Sequence, residues 1–433
     1  MSTIISLPVS AVRPVISPVP RAVYLHIPFC RRRCHYCDFA IAVTGEFVPH
    51  KTGGSPSKTP VDGSNSDRIR RYVDTLTQEI TQDIIAAPLT DQPNSPLSKS
   101  PPLTTIFFGG GTPSLLSVEQ FRRILQALKA RFTLAPTVEI SMEMDPGTFN
   151  REKLAGFLDL GLNRVSLGVQ AFQDELLEAC GRLHRRHEVD RAIAMLDDFG
   201  ITNWSLDLIT GLPYQTEDHW RESLALAIAA NPAHISVYDL TVEPGTVFGY
   251  RYEPGEFPLP PEAIATELYR HAHKTLTATG YDHYEISNYA KPGHRSRHNL
   301  VYWRNEPYYA FGMAATSYVD RSRFSRPPTP YDYENWVNEG GEMAGEQVDP
   351  VDEWLETLMV GLRLSDGLLG KDLAKKFGSD PVQELVRLLQ PYEKQGLVTL
   401  TKGAIALTSP DGFLVSNNVL STIFERWMDV SHL

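Results

Sequence analysis

The chain has 433 residues, and its 41 Lys plus Arg against 52 Asp plus Glu give a formal net charge of −11. That length supports two or three domains with sizeable cores, and the sign argues against general binding to nucleic-acid backbones or anionic membranes, which call for clustered positive charge. Four cysteines, at 30, 34, 37 and 180, are too few for a disulfide-stapled secreted scaffold, and no unbroken apolar stretch reaches the roughly 18 residues of a membrane span.

In chain order, residues 1–21 carry four prolines and no acid. Prolines break the continuous apolar core of a secretory signal, so a disordered tail and a cytoplasmic location are expected. Residues 44–67 and 88–102, rich in Gly, Pro, Ser and Asn, read as polar insertions. Between and after them, strand-like runs recur at 22–27, 104–109, 138–144, 164–170, 204–209 and 234–240. Helical spacing follows each, from Asp67, Ser117, Asn150, Asp174 (with a second piece from Glu188), Thr216 and Pro261. Alternating strands and helices predict an α/β chain, a partial (β/α)6 barrel over 22–250 with a doubly wound open sheet as the alternative. From 251 to 433 the alternation stops. An α+β region is expected there, ending in helices from Asp352, 371–377 and 380–395 and a hairpin at 398–408, a winged-helix-like order.

Three cysteines lie within eight residues directly after the first strand, in Tyr24-Leu-His-Ile-Pro-Phe-Cys30-Arg-Arg-Arg-Cys34-His-Tyr36-Cys37-Asp-Phe39. Active sites of β/α barrels sit on that strand-end face. Three thiolates can converge on a soft metal centre. Structural zinc would want a fourth ligand, which His35 and the remote Cys180 supply poorly. A four-iron cluster on three cysteines keeps one iron open. Arg31 to Arg33 put positive charge beside such a cluster, unless they are simply a solvated loop. Cys180 reads as a packing residue.

CxxxCxxC after a strand resembles the radical S-adenosylmethionine (SAM) superfamily. The longer string from Tyr24 to Phe39 resembles its branch of oxygen-independent coproporphyrinogen III oxidases and HemW-type heme chaperones. The resemblance implies a 4Fe-4S cluster on Cys30, Cys34 and Cys37 whose free iron chelates SAM, and reductive cleavage of SAM to a 5′-deoxyadenosyl radical. Later strand ends carry residues suited to such a cofactor: Gly109-Gly110-Gly111-Thr112 for close backbone approach, Glu143 for a cation, Gln170 and Asp207 as polar groups in apolar strands, Arg182 for a carboxylate, and Thr241. By resemblance, SAM contacts fall on Tyr24, Tyr36, Gly110, Gly111, Thr112, Glu143, Gln170, Arg182, Asp207 and Thr241.

Three features favour the chaperone branch over the oxidase. The oxidases carry a further cysteine where this chain has Phe39, and a longer segment before the cluster. The chaperone type is marked by HNxxYW, present as His298-Asn299-Leu300-Val301-Tyr302-Trp303. The resemblance thus implies heme binding, with His298 in the heme site, and heme-accepting apoproteins as partners. His184, His187, His283 and His294 are other imidazoles to weigh, and a buried, hydrogen-bonded role is the plain alternative for each. Radical chemistry would also imply a flavodoxin or ferredoxin reductant, docking at Arg31 to Arg33. Neither a nucleic acid nor an integral membrane segment is expected.

Overall fold

The computed structural model describes residues 19–45, 63–82, 101–342, 344–401 and 403–428. The tail over 1–18 and most of the insertions at 44–67 and 88–102 lie outside these. Six parallel strands follow the expected order: β1 (Ala22–Ile27), β2 (Leu103–Gly110), β3 (Leu134–Met144), β4 (Arg164–Gln170), β5 (Trp204–Thr210) and β6 (His234–Asp239). Antiparallel β7 (Asp282–Glu285) and β8 (Asn288–Ala290) extend one edge and β9 (Tyr309–Phe311) the other, giving the order β9-β1-β2-β3-β4-β5-β6-β8-β7. Strands laid side by side in sequence order put every crossover on one face. The sheet is therefore an open partial barrel and not a doubly wound sheet, whose order reverses at its middle.

Alternation along each strand decides what faces where. Val23 and Leu25, Ile106 and Phe108, Met142 and Met144, Val165 and Leu167, Leu206 and Leu208, and Ile235 and Val237 all enter one apolar core. The helices complete that core: α1 (Gly63–Thr81), α2 (Val118–Arg131), α3 (Arg151–Asp159), α5 (Arg186–Asp198) after the short α4 (Asp174–Ala179), α6 (Glu217–Ala229) and, beyond the one-turn α7 (Val247–Arg251), α8 (Glu262–Ala278). Ser117, Asn150 and Thr216 cap α2, α3 and α6 by accepting backbone N–H groups at the third helical position. The intervening strand residues, Tyr24, Ser141, Glu143, Ser166, Ser205, Asp207 and Ser236, share the concave face. The strands are thus apolar behind and polar in front.

The floor of the concave face is plugged by α9 (Arg297–Trp303). The backbone N–H of His298 donates to Glu139 Oε1 (3.2 Å), and Arg164 reaches the carbonyl of His294 (3.2 Å). Further on, α10 (Pro330–Asn338) packs against α1. A separate core of Trp354, Leu358, Leu373, Leu385, Leu389, Ile405, Phe413 and Ile423 organises α11 (Pro350–Gly361), α12 (Gly370–Phe377), α13 (Ser379–Lys394) and a small three-stranded sheet in the winged-helix-like order.

One buried ion pair ties these parts together. Glu79 on α1 accepts from Arg326 Nε (2.8 Å), Gly312 N (2.8 Å) and Tyr333 Oη (2.6 Å), and neither charged side chain has any exposed area. Nearby, Tyr72 donates its hydroxyl to the carbonyl of His26 (2.6 Å) and accepts from Met313 N (3.1 Å). Removing one partner strands the other charge in a dry interior, a loss of about 3–5 kcal/mol. Arg326→Met is expected to lower unfolding stability by that order in a denaturant titration, and a change within experimental error would show that Glu79 is held by its neutral donors alone.

Candidate functional site

The front of the half-barrel opens into a cavity of about 1130 Å³ at the C-terminal ends of the strands. Cys30, Cys34, Cys37, Tyr36, Gly110, Gly111, Thr112, Glu143, Gln170, Arg182, Asp207 and Thr241 all line it. Tyr24 and His298 do not.

The cysteine loop is shaped mainly by its backbone. Residues 29–30 pair with 42–43, the N–H of His35 donates to the carbonyl of Cys180 (2.9 Å), and His26 Nε2 meets the carbonyl of Ala40 (2.9 Å). All three thiols are free and half-buried, whereas Cys180 is fully buried in a satellite core with Leu176, Leu177 and Phe248. Two sulfurs receive hydrogen bonds, Cys30 from the Thr112 hydroxyl and Cys34 from Arg182 Nη1, both at 3.6 Å. Burial pushes the Cys30 thiol up to about 12 and raises that of Cys37. A soft, multi-iron centre that keeps thiolates ionised and uses donors to their sulfurs suits this set. Among the described residues, no group of three His, Cys, Asp or Glu side chains is arranged to hold a single metal ion.

The glycines bring two backbones into contact. Gly111 N donates to Ile27 O (2.9 Å) and Thr112 N to Phe29 O (2.7 Å), so the segment packs on the cysteine loop itself. A Cβ on Gly110 would lie 2.6 Å from the His26 ring, and one on Gly111 would lie 2.7 Å from Phe29 O. They allow two backbones to touch, which in turn aims Thr112 at Cys30.

Around the rest of the cavity, charges are sorted. Asp145, not singled out from the sequence, pairs with Arg182 and shares the one Thr112 hydroxyl proton (3.1 Å) with Cys30 Sγ. It lies two residues after Glu143 on the same strand face, so period-two alternation in EMDP carried the signal. Arg182 also donates to Gly168 O (2.9 Å) and to His184 Nδ1 (3.3 Å), whose Nε2 reaches Val169 O (3.1 Å). Burial and the neighbouring guanidinium hold His184 neutral, its pKa lowered to about 4. A Cβ on Gly168 would meet Asp145 Oδ1 at 2.8 Å, so no side chain fits beside that pair. Asp207 accepts from Ser166 (2.8 Å) and Ser205 (3.0 Å); burial raises its pKa while the hydroxyls draw it back. Glu143 accepts from Gly110 N (3.1 Å), and burial with the charge of Asp207 lifts it to about 8.

Gln170 ends β4 with a positive φ of 68° at a bulge, and its Oε1 is buried without a partner. A bulky residue held there, with an orphaned acceptor at the cavity wall, is the mark of a site that something polar completes. Tyr24 stands behind Glu143, and its hydroxyl meets His26 Nδ1 (3.1 Å).

His298 is fully buried in the floor. Its Nδ1 meets the Thr105 hydroxyl (2.9 Å), its Nε2 the Tyr302 hydroxyl (2.9 Å), and Phe107 stacks on the ring (5.1 Å). Burial keeps it neutral, with its pKa near 3. For iron to reach either nitrogen, one of these bonds would have to break. His283, stacked on Tyr289 at 4.1 Å, is also buried away from the cavity.

The fold agrees with comparisons to known proteins. Residues 97–227 match the model of the radical SAM superfamily, and residues 348–414 that of the HemN C-terminal domain. The chain is 44% identical to the heme chaperone HemW of Synechocystis, over 94% of this chain and 97% of that one. It is 34% identical to heme chaperone HemW of Bacillus subtilis (92% and 98%) and 37% identical to that of Escherichia coli (68% and 69%). A solved structure of coproporphyrinogen III oxidase (HemN) from Escherichia coli, described as a radical SAM enzyme, superposes with a TM-score of 0.74 over 96% of this chain and 91% of that one, at 22% identity, which speaks for the fold alone.

The raised Glu143 yields a pH prediction. Its neutral form is favoured by the fold, so this stabilising contribution is complete below about 4.5 and is lost as pH rises through about 8. A cationic ligand that pairs with the carboxylate must expel that proton. SAM affinity is expected to rise between pH 6 and 8 by up to about tenfold per unit, with proton release seen by titration calorimetry in buffers of different ionisation enthalpy. Glu143→Gln should flatten the slope; a slope unchanged in that variant would assign the proton to another group.

Proposed function

The chain belongs to the HemW family of radical SAM proteins, and on that premise we propose that it is a heme chaperone, binding heme and passing it to client apoproteins while carrying a 4Fe-4S cluster and SAM. The observation that carries this reading is the loop of Cys30, Cys34 and Cys37 bordering a large polar cavity with no fourth cysteine at Phe39, in a chain that matches relatives bearing that name over nearly its whole length.

Cys30, Cys34 and Cys37 would hold the cluster, which when bound supplies an electron to SAM. Thr112 and Arg182 donate to two of the sulfurs and so disperse their negative charge. Arg182, locked by Asp145 and Gly168 O, offers a fixed guanidinium, and Gln170 offers an acceptor that has no partner of its own. Glu143 and Asp207 would face the cationic and hydroxyl-bearing parts of the cofactor, with Gly110, Gly111, Tyr36 and Thr241 along its sides. A flavodoxin- or ferredoxin-like reductant would meet exposed Arg31 to Arg33. Arg31 and Arg33 bond to the carbonyls of Gly147, Cys37 and Phe39, so carbonyls rather than carboxylates receive their donors. No helix among the described residues is long and apolar enough to cross a membrane.

Anaerobically reconstituted protein should bind heme near one equivalent with a saturable Soret change, and should leave coproporphyrinogen III unchanged in the presence of SAM and a strong reductant. Steady decarboxylation would return the chain to the oxidase reading. Because both His298 nitrogens serve the barrel floor, His298→Ala is expected to lower thermal stability while the heme stoichiometry stays near one. A variant as stable as its parent that lost the Soret change would put His298 back in the heme site.

A further inference from the structure

Exposed aromatic side chains that cluster mark an interaction surface. Phe257 is 87% exposed, Tyr250 82% and Tyr214 52%. Tyr214 lies on the loop after β5, and Tyr250 on α7 and Phe257 on the loop that follows it, in the segment after β6 whose first residues, Leu240, Thr241 and Glu243, line the cavity. The rings of Tyr214 and Phe257 meet edge to face, with centroids 5.7 Å apart at 78°. Tyr214 is held at φ 65° by an N–H donated to Pro258 O (2.8 Å). That left-handed conformation is costly for a bulky residue, and here it presents a ring to solvent instead of filling a core.

The loop beneath is rigid. Phe248 is fully buried, packs on Tyr252 (5.2 Å), and donates its backbone N–H to the carbonyl of His35 (2.9 Å) within the cysteine loop. The aromatic surface is therefore fixed to the loop that borders the cavity. Its charges are one-sided: between Thr241 and Pro260 the chain has three glutamates against one arginine. Glu253 and Glu256 both precede Phe257 in its loop, and Asp218 lies in the first turn of the helix after Tyr214; all three are exposed.

Resting on the heme-chaperone reading, we propose that this acid-rimmed aromatic surface is where the heme-accepting apoprotein docks, and that the acceptor presents apolar side chains flanked by lysine or arginine. Preorganised aromatic anchors supply most of the binding energy in such contacts, and the surrounding charge sets partner choice and on-rate. Docking here brings the acceptor to the rim of the cavity.

Docking of heme-loaded full-length protein to apocytochrome c, a basic heme acceptor, can be followed by interferometry, with acidic apocytochrome b5 as the charge control. The parent should bind the basic acceptor and not the acidic one. Tyr250→Ser with Phe257→Ser, and separately Glu253→Lys with Glu256→Lys, should weaken that binding at least tenfold while heme titration of each variant matches the parent. Reversing Asp352 and Asp380 on the C-terminal module should leave it unchanged. The proposal is overturned if the parent ignores the basic acceptor, if the patch variants bind as well as the parent, or if the distant reversal weakens binding equally. It is also overturned if sedimentation shows the patch variants splitting a dimer of the parent, since the surface would then join two copies. Failure of the parent to bind heme at all would instead remove the chaperone reading itself.

Discussion

A sheet that is apolar behind and polar in front cannot bury both faces against its own helices. Everything else in this molecule follows from that constraint. The rear face of Val, Ile, Leu, Met and Phe side chains is sealed by amphipathic helices, at roughly 25 cal/mol for each Å² of apolar surface removed from water. The front carries Ser141, Glu143, Ser166, Ser205, Asp207 and Ser236, and each polar group there needs a partner or a ligand. Serine hydroxyls satisfy Asp207, and His234 bridges Ser205 (2.7 Å) to Tyr284 (2.9 Å). At the floor α9 closes the gap, while at the rim Gln170 Oε1 is left without a partner. The open half-barrel is thus plugged by α9 below and open above, with Ser141 Oγ also unpartnered on the same face.

That asymmetry explains why the cysteines sit where they do. A loop of thiols needs a backbone that is already shaped, because burial alone favours the protonated, unliganded thiol. The required order comes from three directions: Gly111 and Thr112 from β2, the carbonyls of Ala179 and Cys180 from α4, and the His26 ring from β1. His26 is itself held through its carbonyl by Tyr72, which lies next to the Glu79–Arg326 pair. A buried salt bridge far from the cavity is in this way continuous, bond by bond, with the cysteine loop.

Much of this was legible in the residues. The six strands, the caps at Ser117, Asn150 and Thr216, and the order of the C-terminal helices followed from periodicity and capping chemistry, which are local. Sites at strand ends were legible because a β/α barrel gathers them whatever their separation in sequence. What could not be read was non-local. β9 pairs with β1 across nearly three hundred residues, and no pattern within YAF announces it. The pairing of Asp145 with Arg182 was likewise beyond any local pattern. Tyr24 sits one layer below the cavity because a strand residue's depth depends on barrel tilt, which composition does not encode.

His298 shows most clearly how a motif and its physical role can part. Seen alone, a histidine beside tyrosine and tryptophan suggests a ligand for iron. In the fold, Thr105 and Tyr302 occupy its two nitrogens, Phe107 covers one face, and the ring lies at the end of the barrel opposite the cysteines. An imidazole in that setting is a two-ended hydrogen-bonding strut that lets a polar floor stay dry. In the heme-chaperone reading, the same reasoning bears on where heme would sit. A flat, largely apolar ring needs exposed apolar surface, and among the described residues Phe39 and Leu183 offer it along the cavity, whereas the floor offers none. Delivery to another protein also requires a heme that can be approached, which a buried histidine would prevent.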